Sequence, residues 1–250
     1  MTKPAPGLVL QGITAPLRLS DFKLIAFDMD STLINIECID EIADAAGRKA
    51  EVAAITEAAM RGEIADYKAS LRQRVALLRG VGVAHMQQVL DERLCLNPGA
   101  DELVRACKAA GLKTLLVSGG FTFFTDAVQA MLGIDWTRSN VLEVQDGLLT
   151  GRLVEQAWGD ICDGEEKRRM LLQTCTSMGI APAQAIAMGD GANDLPMMFA
   201  AGLSVAYHAK PAVREKAMVA INSGGLDRLL EVVGVGLAMT TPSGTACTQP

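Results

Sequence analysis

The chain has no excess of positive charge: 23 Lys and Arg stand against 29 Asp and Glu, a formal net charge of -6. Wholesale nucleic-acid binding needs a basic face making many phosphate contacts, so no nucleic-acid partner is expected, while small polar substrates stay open. The six cysteines (Cys38, Cys95, Cys107, Cys162, Cys175, Cys247) include no CxxC spacing. Neither a zinc site nor a redox dithiol is indicated, and a reducing cytoplasmic location is expected. No apolar run has the length of a membrane span, and the opening MTKPAPGLVLQGITAPLRLS is broken by Pro and Gly before a continuous apolar core develops. Neither export nor an anchor is expected, hence no membrane partner. Aromatic residues are few, at 4%, yet hydrophobic residues make up 50% of the 250. That is enough to bury a full core and leaves room for a second, smaller unit.

What the chain does have is alternation. From Phe22 short apolar runs alternate with longer helical ones, the sequence form of an α/β fold with a doubly wound, largely parallel, Rossmann-like sheet. FKLIAFDM, KTLLVSGG, QAIAMGDG and LSVAY are strand candidates, with MVAIN a weaker fifth, and FTFFTDAVQAML, NDLPMMFAAG and GLDRLLEVV are helix candidates. Between the first two strands, residues 36–96 hold CIDEIADAAG, KAEVAAITEAAMRG, ADYKASLRQRVALLRG and AHMQQVLDERL. Each has apolar residues at three- and four-residue spacings, and together they read as an inserted helical bundle over the edge of the sheet. NVLEVQDGLLTGRLV, with Asp146-Gly147 at its centre, reads as a hairpin. The expected organisation is an N-terminal extension over 1–20, a core built from 21–35 and 97–235, the helical insertion over 36–96, and a frayed tail over 236–250. With only some twenty residues ahead of the first strand, no separate regulatory domain is expected there, and no internal repeat is found.

In open parallel sheets ligands bind beyond the carboxyl ends of the strands. Three strand candidates end there in polar clusters: DMDST (Asp28 to Thr32), SGG (Ser118 to Gly120) and GDGAND (Gly189 to Asp194). Each alone fits a helix cap or a turn; a parallel sheet brings all three to one crevice. If Asp28, Asp30 and Asp190 met within about 4 Å, each like-charged pair would cost on the order of 4 kcal/mol at an effective dielectric of 20. Either one carboxyl pKa rises or a hard divalent cation with oxygen ligands sits among them, and the lack of His and Cys favours Mg2+ over zinc. One carboxylate then serves as a nucleophile toward phosphorus and the other, two residues on, as its acid/base partner. Ser118 and the amides around Gly119 suit phosphoryl oxygens. The cation still wanted is Lys167 in DGEEKRRMLL, which by its neighbours Arg168 and Arg169 reads as a solvated surface lysine.

DMDST, SGG, Lys167 and GDGAND, in this order and with a helical insertion after the first, resemble the four motifs of the haloacid-dehalogenase-like phosphohydrolases, and more narrowly those of the phosphoserine phosphatases. The resemblance runs from about Lys23 to Leu230. It implies that Asp28 is the nucleophile and Asp30 the general acid/base. It further implies Mg2+ on Asp28, the Asp30 main-chain carbonyl and Asp190, with Asn193 and Asp194 supporting the metal and Lys167, and Asn193 also among the substrate-binding residues. Ser118, Gly119 and Lys167 would take the phosphate. The insertion corresponds to the family's cap, in which Glu37 would meet the ammonium of O-phospho-L-serine and Arg74 its carboxylate. By spacing alone Glu37 is a first-turn helix acid and Arg74 part of a basic helix face shared with Arg72. Met60 and Tyr67 would belong to the apolar part of the lid; IADYKASLRQRV departs from the family pattern, with Tyr in place of Phe and one more residue ahead of it.

The implied activity is Mg2+-dependent hydrolysis of O-phospho-L-serine, the last step of serine biosynthesis. Phosphothreonine or phosphohomoserine is the neighbouring alternative, since one methylene is worth only about 1–3 kcal/mol in a pocket. From another class, a non-catalytic module that holds phosphate on an aspartate is opposed by Asp30, a second carboxylate placed to activate water. Monomer and homodimer stay open. His85 reads as a solvated helix residue and His208 as a loop residue at the mouth of the crevice; the methionine pairs read as core filler.

Overall fold

The structure, a computed structural model, describes residues 2–60 and 66–234, the side chains of 57, 59 and 60 excepted. The chain enters through β1 (Thr2–Ala5), β2 (Leu8–Leu10) and β3 (Leu17–Arg18) and then forms β4 (Leu24–Phe27). Four helices follow: α1 (Cys38–Ala45), α2 (Lys49–Met60), α3 (Tyr67–Leu77) and α4 (Val83–Glu92). After α5 (Ala100–Ala109) come β5 (Lys113–Phe121), α6 (Thr122–Leu132), β6 (Trp136–Gln145), β7 (Leu148–Val154) and α7 (Gly164–Met178). The remaining elements are β8 (Ala185–Gly189), α8 (Leu195–Ala200), β9 (Leu203–Tyr207), α9 (Pro211–Arg214), β10 (Val219–Ile221) and β11 (Val233–Gly234).

All five apolar runs form strands, in a nine-stranded sheet ordered β1-β2-β10-β9-β8-β4-β5-β6-β7. From β10 to β6 every pairing is parallel. A parallel strand is covered on both faces, and alternate residues of β4 enter different cores. Ile25 and Phe27 pack with Leu116, Ile186 and Met188 on one side, and Leu24 and Ala26 pack with Leu115, Ala185 and Leu171 on the other. The register pairs Phe27 with both Leu116 and Met188. Asp28, Ser118 and Asp190, one or two residues further along, therefore emerge at the same end of three adjacent strands.

β6 runs parallel to β5 at its start and antiparallel to β7 beyond it. The turn is at Asp146 and Gly147, with φ of 50° and 76°, the left-handed pair that a two-residue hairpin turn demands. The linker after α3 bonds to this hairpin, Gly80 N–H to Leu149 O at 2.8 Å and Val83 N–H to Gly147 O at 2.9 Å, and so steadies the helical insertion from one side.

Two segments differ from the sequence expectation. Residues 1–20 are not a mere extension: β2 pairs antiparallel with β10 and β1 with β2, covering that edge of the sheet. Prolines are tolerated at such an edge because no further strand needs their missing N–H. GLDRLLEVV is not an α-helix but a short turn of 3₁₀ geometry over Leu226–Glu231, with Leu226 and Leu229 buried. Three-residue spacing suits three residues per turn, and six residues are too few to propagate an α-helix. The tail expected over 236–250 lies outside the described residues.

Candidate active site

Beyond β4 the chain bends sharply through Met29–Leu33, with Ser31 in the left-handed region at φ 56°. A β-carbon is disfavoured there, and such backbone is held where surrounding bonds fix it. Asn97 supplies two of them, donating from Nδ2 to Thr32 O at 2.8 Å and to Ile34 O at 2.9 Å. The Ser31 hydroxyl donates to Glu37 Oε1 at 2.6 Å. Asp28 itself is fixed by its N–H to Met188 O at 3.0 Å.

Lys167 is brought in by α7, whose first turn is capped by the Asp163 side chain accepting from Glu166 N–H at 2.9 Å. It is not a surface lysine: it is fully buried and donates from Nζ to Asp28 Oδ1 and to Asp194 Oδ1, each at 2.6 Å. Asp194 spends its other oxygen on the N–H groups of Asp190 (3.1 Å) and Gly191 (2.9 Å). Gly189 has to lack a side chain, because a β-carbon there would collide with the Asp194 carboxylate.

Ser118 and Gly119 lie where the ladder between β5 and β6 is interrupted, between Val117 and Phe121. Ser118 Oγ accepts from Gly120 N–H at 2.8 Å, which leaves its own O–H free to donate. Asn140, a buried residue of β6, donates to Gly119 O at 2.7 Å and accepts from Cys162 N–H at 2.8 Å. Anchored through Cys162 N–H, Asn140 thus holds the Gly119 carbonyl in one orientation. Asn140→Ala is expected to lower kcat about tenfold, a change of ~1.4 kcal/mol, with a smaller rise in KM. Steady-state kinetics checks this beside a thermal unfolding curve, and an unchanged kcat would show that the loop holds its shape without Asn140.

A cavity of about 320 Å³ opens over these strand ends. Asp28, Asp30, Ser118, Gly119, Asp190 and Asn193 line its floor; Glu37 and Asp40 of the α1 turn, Thr56 of α2, and Tyr67 and Arg74 of α3 line its roof. Every site residue expected from the sequence thus borders this space or the buried Lys167 and Asp194 beneath it, except Met60, whose side chain lies outside the described residues. The Tyr67 hydroxyl sits so close to Gly119 that a β-carbon on the glycine would strike it, so Tyr67 brings a polar group to the floor and not only apolar cover. Asn193 borders the cavity but makes no hydrogen bond to Lys167 among the described residues.

Residues at the site that were not singled out in the sequence include Thr56, Asn140, Lys210 and Asp40. Asn140 is a lone asparagine in a strand, with no local signal. Lys210, also at the cavity wall, lies in a loop. Asp40 had a signal: it follows Glu37 by three residues at a helix start, which sets the two on one face. His85 also differs from expectation, being half-buried with an enclosed, unpartnered Nδ1. His208 is an exposed loop residue, its Nε2 2.9 Å from Gly224 O. A larger cleft, of 680 Å³, lies beside Lys68, Trp158 and Arg169, but its charged groups pair with one another (Lys68 with Asp160, Arg169 with Glu166) and none of the strand-end residues lines it.

The charges are unbalanced. Burial, and then the Asp194 charge, push the Asp28 carboxyl well above the usual carboxylate range. Asp190 is raised to about 7 by burial and by Asp194, and Asp30 to about 7 by burial and by Glu37. Burial works to lower Lys167, but Asp194 and Asp28 more than reverse it and hold its ammonium well above the ordinary value. One ammonium does not neutralise this many acids, and Asp30 Oδ1 is enclosed without a partner among the described residues. Such a constellation suits a charged ligand and proton transfer near neutral pH.

Comparison with known proteins agrees. The model of the haloacid dehalogenase-like hydrolases matches residues 25–198. A phosphoserine phosphatase of Polaromonas sp. is 78% identical over 93% of this chain and 98% of its own length. One of Albidiferax ferrireducens is 75% identical, over 92% and 98%. A solved phospho-aspartyl intermediate analogue of phosphoserine phosphatase superposes with a TM-score of 0.77 at 38% identity, covering 85% of this chain and 99% of that one. The chain belongs to the haloacid dehalogenase-like hydrolases and, within them, to the phosphoserine phosphatase family.

Proposed function

We propose that the protein hydrolyses O-phospho-L-serine to L-serine and phosphate, with Mg2+, through a phosphorylated Asp28. The observation that carries this reading is a buried carboxylate held by Lys167 in the same cavity as an acid and an arginine on the overlying helices, Glu37 and Arg74. Phosphoserine offers a phosphate for the floor and an ammonium and a carboxylate for the roof. We read residues 36–96 as a cap over the core formed by 21–35 and 97–235. The five described cysteines are all free, in keeping with a cytosolic location, and no described helix is long and apolar enough to cross a membrane.

A carboxylate oxygen of Asp28 attacks phosphorus; the new O–P bond forms as the bond to the serine oxygen breaks. Asp30, raised to about 7 by burial and the Glu37 charge, holds a proton in part near neutral pH and gives it to the leaving alkoxide. As a carboxylate it then takes a proton from the water that attacks the phosphoaspartate. The Ser118 hydroxyl, the Gly119 amide and Lys167 hold phosphoryl oxygens as charge shifts onto them. The donor set fits Mg2+: oxygens of Asp28, Asp190 and Asp194 lie within 4.8 Å of one another, and carboxylates without His or Cys suit a hard cation. Asp194 is committed to Lys167 and two amides, so Asp28, Asp190 and the Asp30 carbonyl would hold the ion. Bound there, Mg2+ would neutralise phosphoryl charge and draw the Asp28 and Asp190 carboxyls, which would hold it, back to their ionised form.

The test is phosphate release from O-phospho-L-serine, phosphothreonine and phosphohomoserine, each with Mg2+ and with EDTA. Phosphoserine should be turned over fastest, and EDTA should cut the rate by about 10³-fold, as loss of several kcal/mol of charge stabilisation requires. Undiminished turnover in EDTA would refute the metal, and a stronger preference for another ester would refute the substrate.

A further inference from the structure

Asp40 sits in the first turn of α1, three residues after Glu37, and both side chains border the cavity roof. Its Oδ1 is enclosed and has no hydrogen-bond partner among the described residues. An unpaired buried oxygen is costly and rare, and a carboxylate more so. Arg74 across the roof presents the complementary vacancy, an enclosed Nε without a partner. No ion pair joins Asp40 and Arg74 among the described residues, although the Arg74 charge acts on Asp40 and Glu37 from across the roof. Glu37, meanwhile, has already given Oε1 to the Ser31 hydroxyl and keeps one oxygen for a ligand. An alkylammonium carries three N–H donors in different directions, more than that one oxygen satisfies.

We propose that Asp40 is a specificity-determining residue that accepts a hydrogen bond from the substrate ammonium beside Glu37, so that this roof selects amino-acid phosphomonoesters over phosphomonoesters lacking the amine. The inference rests on the phosphoserine reading above and deepens it. Glu37 and Asp40, at a three-residue helical spacing, form one acidic face against the ammonium, and the Arg74 fork takes the carboxylate. Arg74 and Lys210 already act on Glu37, and Arg74 and Lys49 on Asp40; a bound ammonium would add a hydrogen-bond donor to this face.

The experiment compares the parent protein, Asp40→Asn and Asp40→Glu, all with Mg2+, on O-phospho-L-serine, on phosphoethanolamine (amine, no carboxylate) and on phosphoglycolate (carboxylate, no amine). Asparagine keeps the shape and removes the charge. Asp40→Asn should raise KM for phosphoserine and phosphoethanolamine about tenfold or more, as loss of a charge-assisted hydrogen bond does. It should leave kcat/KM on phosphoglycolate within about twofold, and Asp40→Glu should recover part of the loss. A general structural defect would depress all three substrates alike, and that result, or an unchanged KM for phosphoserine, overturns the assignment of Asp40. A parent protein inactive on phosphoserine but active on other esters would instead overturn the substrate reading itself, and the proposal with it.

Discussion

Asp28→Asn is expected to lower phosphate release by about 10⁴- to 10⁶-fold, the loss seen when an enzyme's nucleophile is removed, while leaving the fold at least as stable as the parent. The two effects have one origin. As the proposed nucleophile Asp28 has to be an anion, yet its carboxyl is raised well above the usual range by burial and by Asp194. A carboxyl raised in the folded state loses stability as pH climbs from its unfolded pKa to its folded one, so at neutral pH its ionisation opposes folding. Asparagine keeps the volume and the polar atoms and removes that opposition, and Lys167 keeps its bond to Asp194. Thermal unfolding in Mg2+-free buffer, beside steady-state kinetics with Mg2+, reads both. A variant that turns over phosphoserine within about tenfold of the parent contradicts the nucleophile; one markedly less stable contradicts the charge account.

Lys167→Met should do the reverse to stability. The ammonium is fully buried and carries both Asp28 and Asp194. Removing one member of a buried ionic cluster leaves the others uncompensated and typically costs about 3–5 kcal/mol. Methionine fills similar volume, so a cavity contributes little of that loss. Activity should fall by about 10³-fold, since the proposed donor to the transferring phosphoryl group is lost and Asp28 is no longer held by Lys167. Adding Mg2+ is expected to restore part of the stability, because a divalent cation between Asp28 and Asp190 offsets the same negative charge, but not the turnover. Denaturant unfolding with and without Mg2+ checks this. A variant as stable as the parent would mean that the carboxylates are neutral without Lys167.

How much of this was legible in the sequence differs by kind of residue. Asp28, Ser118 and Asp190 were legible because each ends an apolar run, and a parallel register lines up such ends. The hairpin was legible in Asp146-Gly147, which spells its own turn. β1 and β2 were not, since a few residues between prolines and glycines carry too short a pattern to separate from a loop. Lys167 reads as a surface residue beside Arg168 and Arg169; only its place in the family's motif order set it apart, and the helix start at Asp163 explains why it alone points inward to the carboxylates. Asn140 acts through two backbone groups, Gly119 O and Cys162 N–H, that are distant in sequence. Nothing local marks it. The same holds for Lys210, which reaches the cavity because β9 ends beside β8.

If Asp28 carries the phosphoryl group during turnover, that group can be trapped on it. The direct measurement mixes the Mg2+-loaded protein with O-phospho-L-serine, quenches in acid during the first turnover, and locates any phosphoryl group by peptide mass, with borohydride reduction to mark an acyl phosphate. The account predicts the added mass on the peptide holding Asp28, conversion of that residue to homoserine on reduction, and neither signal in Asp28→Asn. A phosphoryl group on Ser118 instead, or rapid phosphate release by Asp28→Asn, would contradict it.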